Sequence, residues 1–238
     1  MAVNMNGTGT IVPEVSEAFK TLRTNIRFSS VDKEIRTLAI TSAMPEEGKT
    51  TVAISLAAAM AEEGKKTLLV EADCRRPMVA NRRSLRPATN WLELLYDDSI
   101  PVMNAVEPTR QKNFYFLDSG RDMKRPVEIL SSKKFRMLVE KLKQEFDIVI
   151  FDTPPVGVFI DAAILSEMMD GTLLVIRAGM VDAKKEQEVV AQLKKAKANI
   201  LGVALNGVRS YSYEYGYYYR DGKKRKKIAK KRAFSRRS

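Results

Sequence analysis

Short apolar runs alternate with helical stretches along most of this chain, and this alternation restricts its fold more than any other feature. The apolar runs cover residues 37–40, 67–70, 114–117, 148–151, 173–176 and 200–205. Patterns of helical length lie between them, near 50–63, 132–145, 160–169 and 183–198. Buried strands that alternate with helices form a mostly parallel central sheet covered by helices on both faces. The sequence therefore predicts an α/β fold.

The same pattern sets the expected domain organisation. A first helix is predicted from Pro13, because apolar residues recur there at spacings of four, three and four, namely Val15, Phe19, Leu22 and Ile26. Residues 1–12 are small and polar, and we expect a flexible N-terminus. Residues 13–208 are predicted to form one domain, followed by a disordered tail at 209–238.

Composition excludes several kinds of site. The 238 residues include no histidine and a single cysteine, Cys74. An imidazole base, a histidine metal site, an intramolecular disulfide and a cysteine zinc cluster are therefore ruled out. No stretch approaches the roughly 18 apolar residues of a membrane span, and the N-terminus lacks the apolar run of a signal peptide. These features predict a soluble cytosolic protein.

The tail combines tyrosines with positive charge. Residues 220–238 contain eleven Lys or Arg and one acid, so they carry +10 of the chain's net charge of +12. Such a segment is attracted to anionic surfaces, including a membrane. Six of the eight tyrosines precede it, namely Tyr211, Tyr213, Tyr215, Tyr217, Tyr218 and Tyr219. They suit either phosphate acceptors in a flexible segment or a surface that stacks on nucleic acid.

A phosphate-binding loop is predicted directly after the first strand. Residues 43–51 read AMPEEGKTT, and a helix is expected from about Thr50. Free N–H groups at a helix N-terminus bind phosphate; Lys49 would bridge the β- and γ-phosphates, and the Thr50 hydroxyl would bind Mg²⁺. The predicted nucleotide-binding residues of the loop are Glu47, Gly48, Lys49, Thr50 and Thr51. The alternative is a Gly-Lys-Thr string in an ordinary turn.

Carboxylates follow two further predicted strands. Glu71 and Asp73 come after the run at 67–70, and Asp152 comes after the run at 148–151. Ligands bind at the carboxyl edge of open parallel sheets, and a carboxylate there can hold Mg²⁺. The alternative is that Asp73 and Asp152 only cap helices. With the loop at 43–51, the pattern favours a nucleoside triphosphate site that includes a metal held by Thr50, Asp73 and Asp152.

These segments, in this order, resemble the bacterial tyrosine kinases (BY-kinases) of capsule and exopolysaccharide synthesis, specifically their free-standing cytoplasmic subunit. The resemblance covers nearly the whole chain. It is carried by Glu17-Ala-Phe-Lys20-Thr-Leu-Arg23, the loop at 43–51, Asp73-x-Arg75-x-Pro77, Pro126-Val-Glu128-Ile-Leu130, Asp152-Thr-Pro-Pro155, Asp161-Ala162, Gly202-Val-Ala-Leu-Asn206 and the tyrosine cluster.

The resemblance implies a P-loop NTPase fold of the MinD/ParA type and an ATP- and Mg²⁺-dependent protein-tyrosine kinase. In this family the γ-phosphate passes to tail tyrosines of a neighbouring subunit in a ring. It implies Lys49, Glu71, Asp73 and Asp152 as catalytic residues, and Asn206 beside the adenine. It implies Glu17, Lys20 and Arg23 as ring contacts.

The resemblance also implies partners. They are a transmembrane activator of the polysaccharide co-polymerase type, which recruits the kinase to the inner face of the membrane, further copies of the chain, and a cognate tyrosine phosphatase. An anionic membrane surface is a further partner expected for the tail, and no specific nucleic acid is expected.

The sequence departs from the family pattern at three positions. Glu46 stands where the family has a glycine, and a positive φ there would be costly for glutamate. Glu71 replaces an aspartate and is one methylene longer. Lys20 replaces an arginine and lacks its bidentate fork.

Two alternatives remain open at the level of sequence. The first is an ATPase switch of the ParA/MinD type, although its signature lysine is Met44 here. The second is a nucleic-acid-binding module with a vestigial nucleotide site. The role of Arg75 and Arg76 is also open, since they suit either charge neutralisation at the site or a structural salt bridge.

Overall fold

A mostly parallel sheet forms the centre of the computed structural model, which describes residues 13–30, 33–80, 85, 87–97, 99–120 and 123–208. The described residues give seven strands in the spatial order β3-β4-β2-β5-β1-β6-β7. Only the short β3 pairs antiparallel, with β4. The strands are β1 (Thr37–Ser42), β2 (Thr67–Glu71), β3 (Glu107–Pro108), β4 (Phe114–Leu117), β5 (Ile148–Asp152), β6 (Gly171–Arg177) and β7 (Ile200–Asn206).

Helices cover both faces of the sheet because alternate strand residues point to opposite sides. Leu38 and Ile40 of β1 pack in the cluster that includes the first two helices, whereas Ala39 packs in a second cluster on the other face. The helices are α1 (Pro13–Phe28), α2 (Lys49–Glu62), α3 (Trp91–Tyr96), α4 (Val102–Ala105), α5 (Pro126–Leu130), α6 (Lys133–Glu145), α7 (Asp161–Met168) and α8 (Ala183–Lys195). The elements up to Gly207 belong to one compact unit.

The predicted α/β architecture is confirmed. All six predicted strands are present, and the helices predicted near 50–63, 132–145, 160–169 and 183–198 are α2, α6, α7 and α8. Two short helices, α4 and α5, and the two-residue β3 were not predicted. Within the described ranges, no helix is both long and apolar enough to cross a membrane.

Parallel pairing places the carboxyl ends of β1, β2 and β5 at the same edge of the sheet. Glu71 at the end of β2 is in register with Asp152 at the end of β5, which also pairs with Ile40 of β1. β1 leads into the loop at 43–48, and α2 begins directly after it. The nucleotide loop and the acidic residues therefore share the carboxyl edge of the sheet. The predicted tail and the six tyrosines at 211–219 lie outside the described residues.

Candidate active site

The loop between β1 and α2 has the backbone of a phosphate cradle. Two of its residues have left-handed conformations, Glu46 with φ 67° and Gly48 with φ 92°. Gly48 precedes the first turn of α2, whose first three residues are Lys49, Thr50 and Thr51. The loop therefore turns sharply into a helix whose N-terminal N–H groups and positive dipole end suit a phosphate.

Glu47 holds the shape of this loop. Its carboxylate is fully buried and accepts hydrogen bonds from the N–H of Met44 at 2.7 Å and from the N–H of Arg177, at the end of β6, at 3.2 Å. The carbonyl of Glu47 accepts a 2.8 Å hydrogen bond from the side-chain amide of Asn206 on β7. The loop is thus fastened to the ends of two other strands. Glu47 and Asn206 were both predicted to bind nucleotide. In the structure the side chains of both form hydrogen bonds that hold the nucleotide loop in place.

The loop is also supported from a third side by Gly157, which follows β5. A Cβ atom at Gly157 would overlap the carbonyl oxygen of Ala43. The residues next to this contact are also joined, since the N–H of Val156 donates a hydrogen bond to the carbonyl of Ser42 at 2.9 Å. Neither Gly157 nor Arg177 was predicted to have a role, because neither belongs to a motif and their proximity to the loop depends on the folded sheet.

Lys49 lies between two of the predicted carboxylates. Its Nζ donates to Oδ2 of Asp73 at 2.9 Å and lies 3.5 Å from Oδ1 of Asp152. The hydroxyl of Thr50 is also 3.5 Å from this ammonium. All four side chains are largely buried. The structure therefore brings together the lysine, the hydroxyl and the two aspartates that the motifs predicted as one site.

Glu71 lies beside this group but is directed away from solvent. Its side chain is fully buried, and Oε2 accepts hydrogen bonds from the N–H groups of Met78 at 2.8 Å and Val79 at 2.7 Å. Glutamate is one methylene longer than aspartate, which gives it the reach to bond these two amides. In this structure Glu71 supports the segment after β2, and Asp73 is the carboxylate that accepts the hydrogen bond of Lys49.

Burial and charge shift the proton affinities of the site in different directions. Burial, and then the neighbouring Asp152, raise the pKa of Glu71 to about 8. Burial also raises the pKa of Asp152, and Lys49 offsets part of that rise. Burial by itself lowers the pKa of Lys49, but Asp152 and Asp73 outweigh it and keep this pKa above its usual value. Lys49 is therefore a permanent cation at neutral pH.

The oxygen atoms of the site suit a hard divalent cation. Both carboxylate oxygens of Asp152 and Oε1 of Glu71 are buried, and none accepts a hydrogen bond within the part of the chain that the structure describes. No group of three or more acidic, cysteine or histidine residues in that part could hold a metal by itself. Mg²⁺ usually takes one or two carboxylates together with substrate phosphates and waters, so Thr50, Asp73 and Asp152 fit it.

Arg75 forms a salt bridge within the protein. Its guanidinium makes two hydrogen bonds of 3.2 Å to the two carboxylate oxygens of Asp161, and it stacks 4.4 Å above the ring of Phe159. Of the two roles left open for Arg75, the structure shows the salt bridge. Arg76 is exposed, and its backbone N–H donates to Oδ1 of Asp73 at 3.0 Å.

The three predicted ring contacts on α1 are not equivalent. Glu17 and Lys20 form an exposed ion pair of 3.7 Å along the helix. The side chain of Arg23 is only 19% exposed; it donates to the carbonyl of Ala59 at 2.7 Å and pairs with Glu63 at 3.2 Å. Arg23 therefore fastens α1 to α2 within one chain.

A central parallel sheet, a phosphate loop and carboxylates at strand ends define a P-loop NTPase. Residues 35–202 match the family model described as an AAA domain, so the nucleotide-binding fold is established for most of the chain. The chain belongs to the bacterial tyrosine-protein kinases, because named members are similar to it over most of their length. It is 39% identical over 204 residues to tyrosine-protein kinase YwqD of Bacillus subtilis (strain 168), covering 85% of this chain and 86% of YwqD.

Other relatives and solved structures support the same family assignment. Tyrosine-protein kinase CpsD of Streptococcus agalactiae is 33% identical, with coverage of 90% of this chain and 93% of CpsD. The kinase domain of Escherichia coli tyrosine kinase ETK superposes with a TM-score of 0.77 at 31% identity, covering 90% of this chain and 84% of that domain. The Pyrococcus furiosus cell division ATPase MinD is more distant, with a TM-score of 0.61, 26% identity and 72% coverage of each chain.

Proposed function

We propose that this tyrosine kinase transfers the γ-phosphate of ATP to the tail tyrosines at 211–219 of a second copy of the chain, and thereby regulates synthesis of a capsular or extracellular polysaccharide. The observation that carries the proposal is Lys49 held between Asp73 and Asp152 at the N-terminus of α2. Phosphoryl transfer requires positioning and charge neutralisation more than covalent catalysis. A chain without histidine can therefore perform it.

The roles of the residues follow from their positions. The N–H groups at the start of α2 and the ammonium of Lys49 would hold the β- and γ-phosphates. Thr50, Asp73 and Asp152 would hold Mg²⁺, which neutralises charge on the phosphates when bound. The tyrosine oxygen attacks the γ-phosphorus, the bond from that phosphorus to the β–γ bridging oxygen breaks, and ADP leaves.

The phenol proton needs an acceptor close to the transferred phosphate. Asp73 accepts the 2.9 Å hydrogen bond of Lys49, whereas Asp152 lies 3.5 Å from the ammonium, so we assign the acceptor role to Asp73. Glu71 was predicted to share that role. Its buried carboxylate bonds the amides of Met78 and Val79, and we propose that it supports the segment that carries Asp73.

Mixing two variants tests transfer between copies. The first carries Lys49→Met with its six tail tyrosines intact, and the second has a normal site with all six tyrosines changed to Phe. With labelled ATP and Mg²⁺, neither should be labelled alone, but the Lys49→Met chain should be labelled in the mixture. Label on the active chain alone would show that the acceptors lie elsewhere. Hydrolysis of ATP without label on either chain would support an ATPase switch.

A control separates the role of Lys49 from a general loss of charge. Lys195 is an exposed lysine at the end of α8, and Lys195→Met removes the same charge far along the chain from the loop. We expect Lys195→Met to keep full activity. Circular dichroism and thermal unfolding should establish that Lys49→Met is folded, with Thr50→Ala as a second inactive variant.

The oligomeric and membrane-associated parts of the proposal rest on family membership and on α1. We propose a homo-oligomeric ring, a membrane-embedded activator that recruits the kinase to the inner face of the membrane, and a tyrosine phosphatase that reverses the reaction. Of the three predicted ring contacts, Glu17 and Lys20 have the more exposed side chains, 74% and 42%, and are accessible to a neighbouring copy. Exchanging their charges keeps the pair within the helix but inverts the pattern presented to a neighbour. We expect the exchange to dissociate the ring in sedimentation velocity, and an unchanged profile would remove Glu17 and Lys20 from the interface.

A further inference from the structure

Two segments at the carboxyl edge of the sheet carry the carboxylates of the site. The first, 72–80, follows β2 and contains Asp73, and the second, 153–160, follows Asp152 of β5. The two strands are neighbours, and the N–H of Ala72 donates to the carbonyl of Asp152 at 2.9 Å. Beyond that hydrogen bond, the relative position of the two segments depends on side chains.

Asp73 and Arg75 belong to one tight turn. The N–H of Arg76 donates both to Oδ1 of Asp73 at 3.0 Å and to its carbonyl at 3.3 Å. The bond between the side chain and this N–H fixes the carboxylate of Asp73 relative to the backbone of the turn. A displacement of Arg75 would therefore also displace the carboxylate of Asp73.

Arg75 connects this turn to the second segment. Its two hydrogen bonds to Asp161 form a bidentate fork, and Phe159 packs against the face of the same guanidinium. The carboxylate of Asp161 is only 1% exposed, at the first residue of α7, whereas the side chain of Arg75 is 34% exposed. A bidentate arginine restricts orientation as well as distance, which a lysine does not.

The second segment is in turn fixed to the nucleotide loop. Gly157 lies against Ala43, and Val156 is hydrogen bonded to Ser42. The chain of contacts therefore runs from the loop that precedes Lys49, through residues 156–161, to Arg75 and then to Asp73.

We propose that Arg75 is a positioning residue for phosphoryl transfer, because its contacts with Asp161 and Phe159 fix the carboxylate of Asp73 relative to the nucleotide loop. Arg75 acts through the turn 73–76 and does not contact the phosphates. The inference uses the kinase activity and the role of Asp73 proposed above.

Four variants test this role. Arg75→Met keeps the length of the side chain but removes the fork, Arg75→Lys keeps the charge alone, and Asp161→Asn removes the charge of the acceptor. The control is Arg136→Met. It breaks the exposed 3.6 Å ion pair between Arg136 of α6 and Glu167 of α7, the helix that also carries Asp161. The measurements are kcat and KM for ATP in tyrosine phosphorylation, well below the melting temperature of each variant.

A displacement of a reacting group by about 1 Å costs on the order of 100-fold in rate. We therefore expect Arg75→Met and Asp161→Asn to lower kcat by about 100-fold with KM for ATP within about threefold of wild type. Arg75→Lys should be intermediate, and Arg136→Met should match wild type. If Arg75→Met does not fold, Arg75→Lys and Asp161→Asn carry the test.

Two results would overturn the proposal. A lower melting temperature with kcat within threefold of wild type would make the contact purely structural. A tenfold higher KM with unchanged kcat would make Arg75 a nucleotide-binding residue. Hydrogen exchange at residues 73–79 gives a readout independent of the acceptor, and we expect faster exchange there in Arg75→Met. A wild-type chain that phosphorylates added tyrosine peptide but not its tail would refute the acceptor proposed above and leave this inference testable.

Discussion

Glu46 is the residue of the nucleotide loop whose replacement should increase both protein stability and nucleotide affinity. Its φ of 67° lies in the left-handed region, and this exposed residue comes two positions before Gly48, the N-cap of α2. Glycine adopts that conformation without steric cost and carries no charge. We therefore expect Glu46→Gly to raise both the stability of the fold and its affinity for nucleotide.

The expected stability gain is the difference between two effects. A left-handed conformation costs a residue with a Cβ roughly 1 to 2 kcal/mol. Glycine gives the unfolded chain more conformational freedom, which offsets roughly 0.5 to 1 kcal/mol of that gain. The net gain is about 0 to 1.5 kcal/mol, with a midpoint of roughly 0.75 kcal/mol. A gain of about 1 kcal/mol shifts the Tm of a domain of this size by roughly 2 to 4 °C.

Two further variants separate the backbone effect from the charge. Glu46→Gln removes the charge but keeps the strained backbone, so nucleotide should bind roughly two- to fivefold more tightly with an unchanged Tm. Lys197 also has a positive φ, 59°, but it follows α8 outside the loop. Lys197→Gly should raise Tm by a similar amount and leave nucleotide affinity unchanged.

Differential scanning calorimetry without nucleotide and titration calorimetry with ADP and Mg²⁺ measure the two effects. The affinity gain in Glu46→Gln should shrink as salt is raised, because exposed charges are screened. A Glu46→Gly protein that melts at a lower temperature than wild type, or that binds ADP more weakly, would refute the reasoning.

Three other predictions concern contacts around the site. The folded protein holds a proton on Glu71 up to about pH 8, whereas a free glutamate releases it near 4.5, so the unfolding free energy should fall as pH rises through that interval. Denaturant titrations of Glu71→Gln should therefore show a flatter pH profile than wild type. An identical pH profile in the two proteins would show that Glu71 is ionised in the fold. Arg23→Ala removes the contacts with Ala59 and Glu63 and should cost about 1 kcal/mol in urea unfolding; no loss of stability would mean that α1 is held by apolar packing alone. Asn206→Ala removes one support of the loop and should weaken ADP binding about fivefold by titration calorimetry, whereas tighter binding would contradict a supporting role.

The fold was largely predictable from the sequence because the buried parallel strands are continuous apolar runs. The predicted run at 114–117 coincides with β4, and the others differ from their strands by no more than two residues at either end. The helices α4 and α5 escaped prediction because they have only four and five residues, too few for a clear helical period. The strand β3 has two residues and begins in no apolar run.

The site was predictable where its chemistry lies in a contiguous motif. Lys49 and Thr50 were identified from the loop at 43–51, and Asp73 and Asp152 from the ends of strands. The structure brings the four side chains together. The different environment of Glu71 was not predictable, because its bonds to Met78 and Val79 depend on how the chain turns after β2. The pairing of Arg75 with Asp161 joins positions 86 residues apart, which no local pattern reports.

Gly157 shows that the shape of the nucleotide loop is a property of the whole carboxyl edge. Its missing side chain leaves space for Ala43, while Arg177 and Asn206 hold the far side of the loop. Transplanting the nine letters at 43–51 into another scaffold would carry the motif without its conformation. Conversely, a single methyl group gained at position 157 during evolution would yield a chain that every motif survey scores as intact although its nucleotide pocket is deformed.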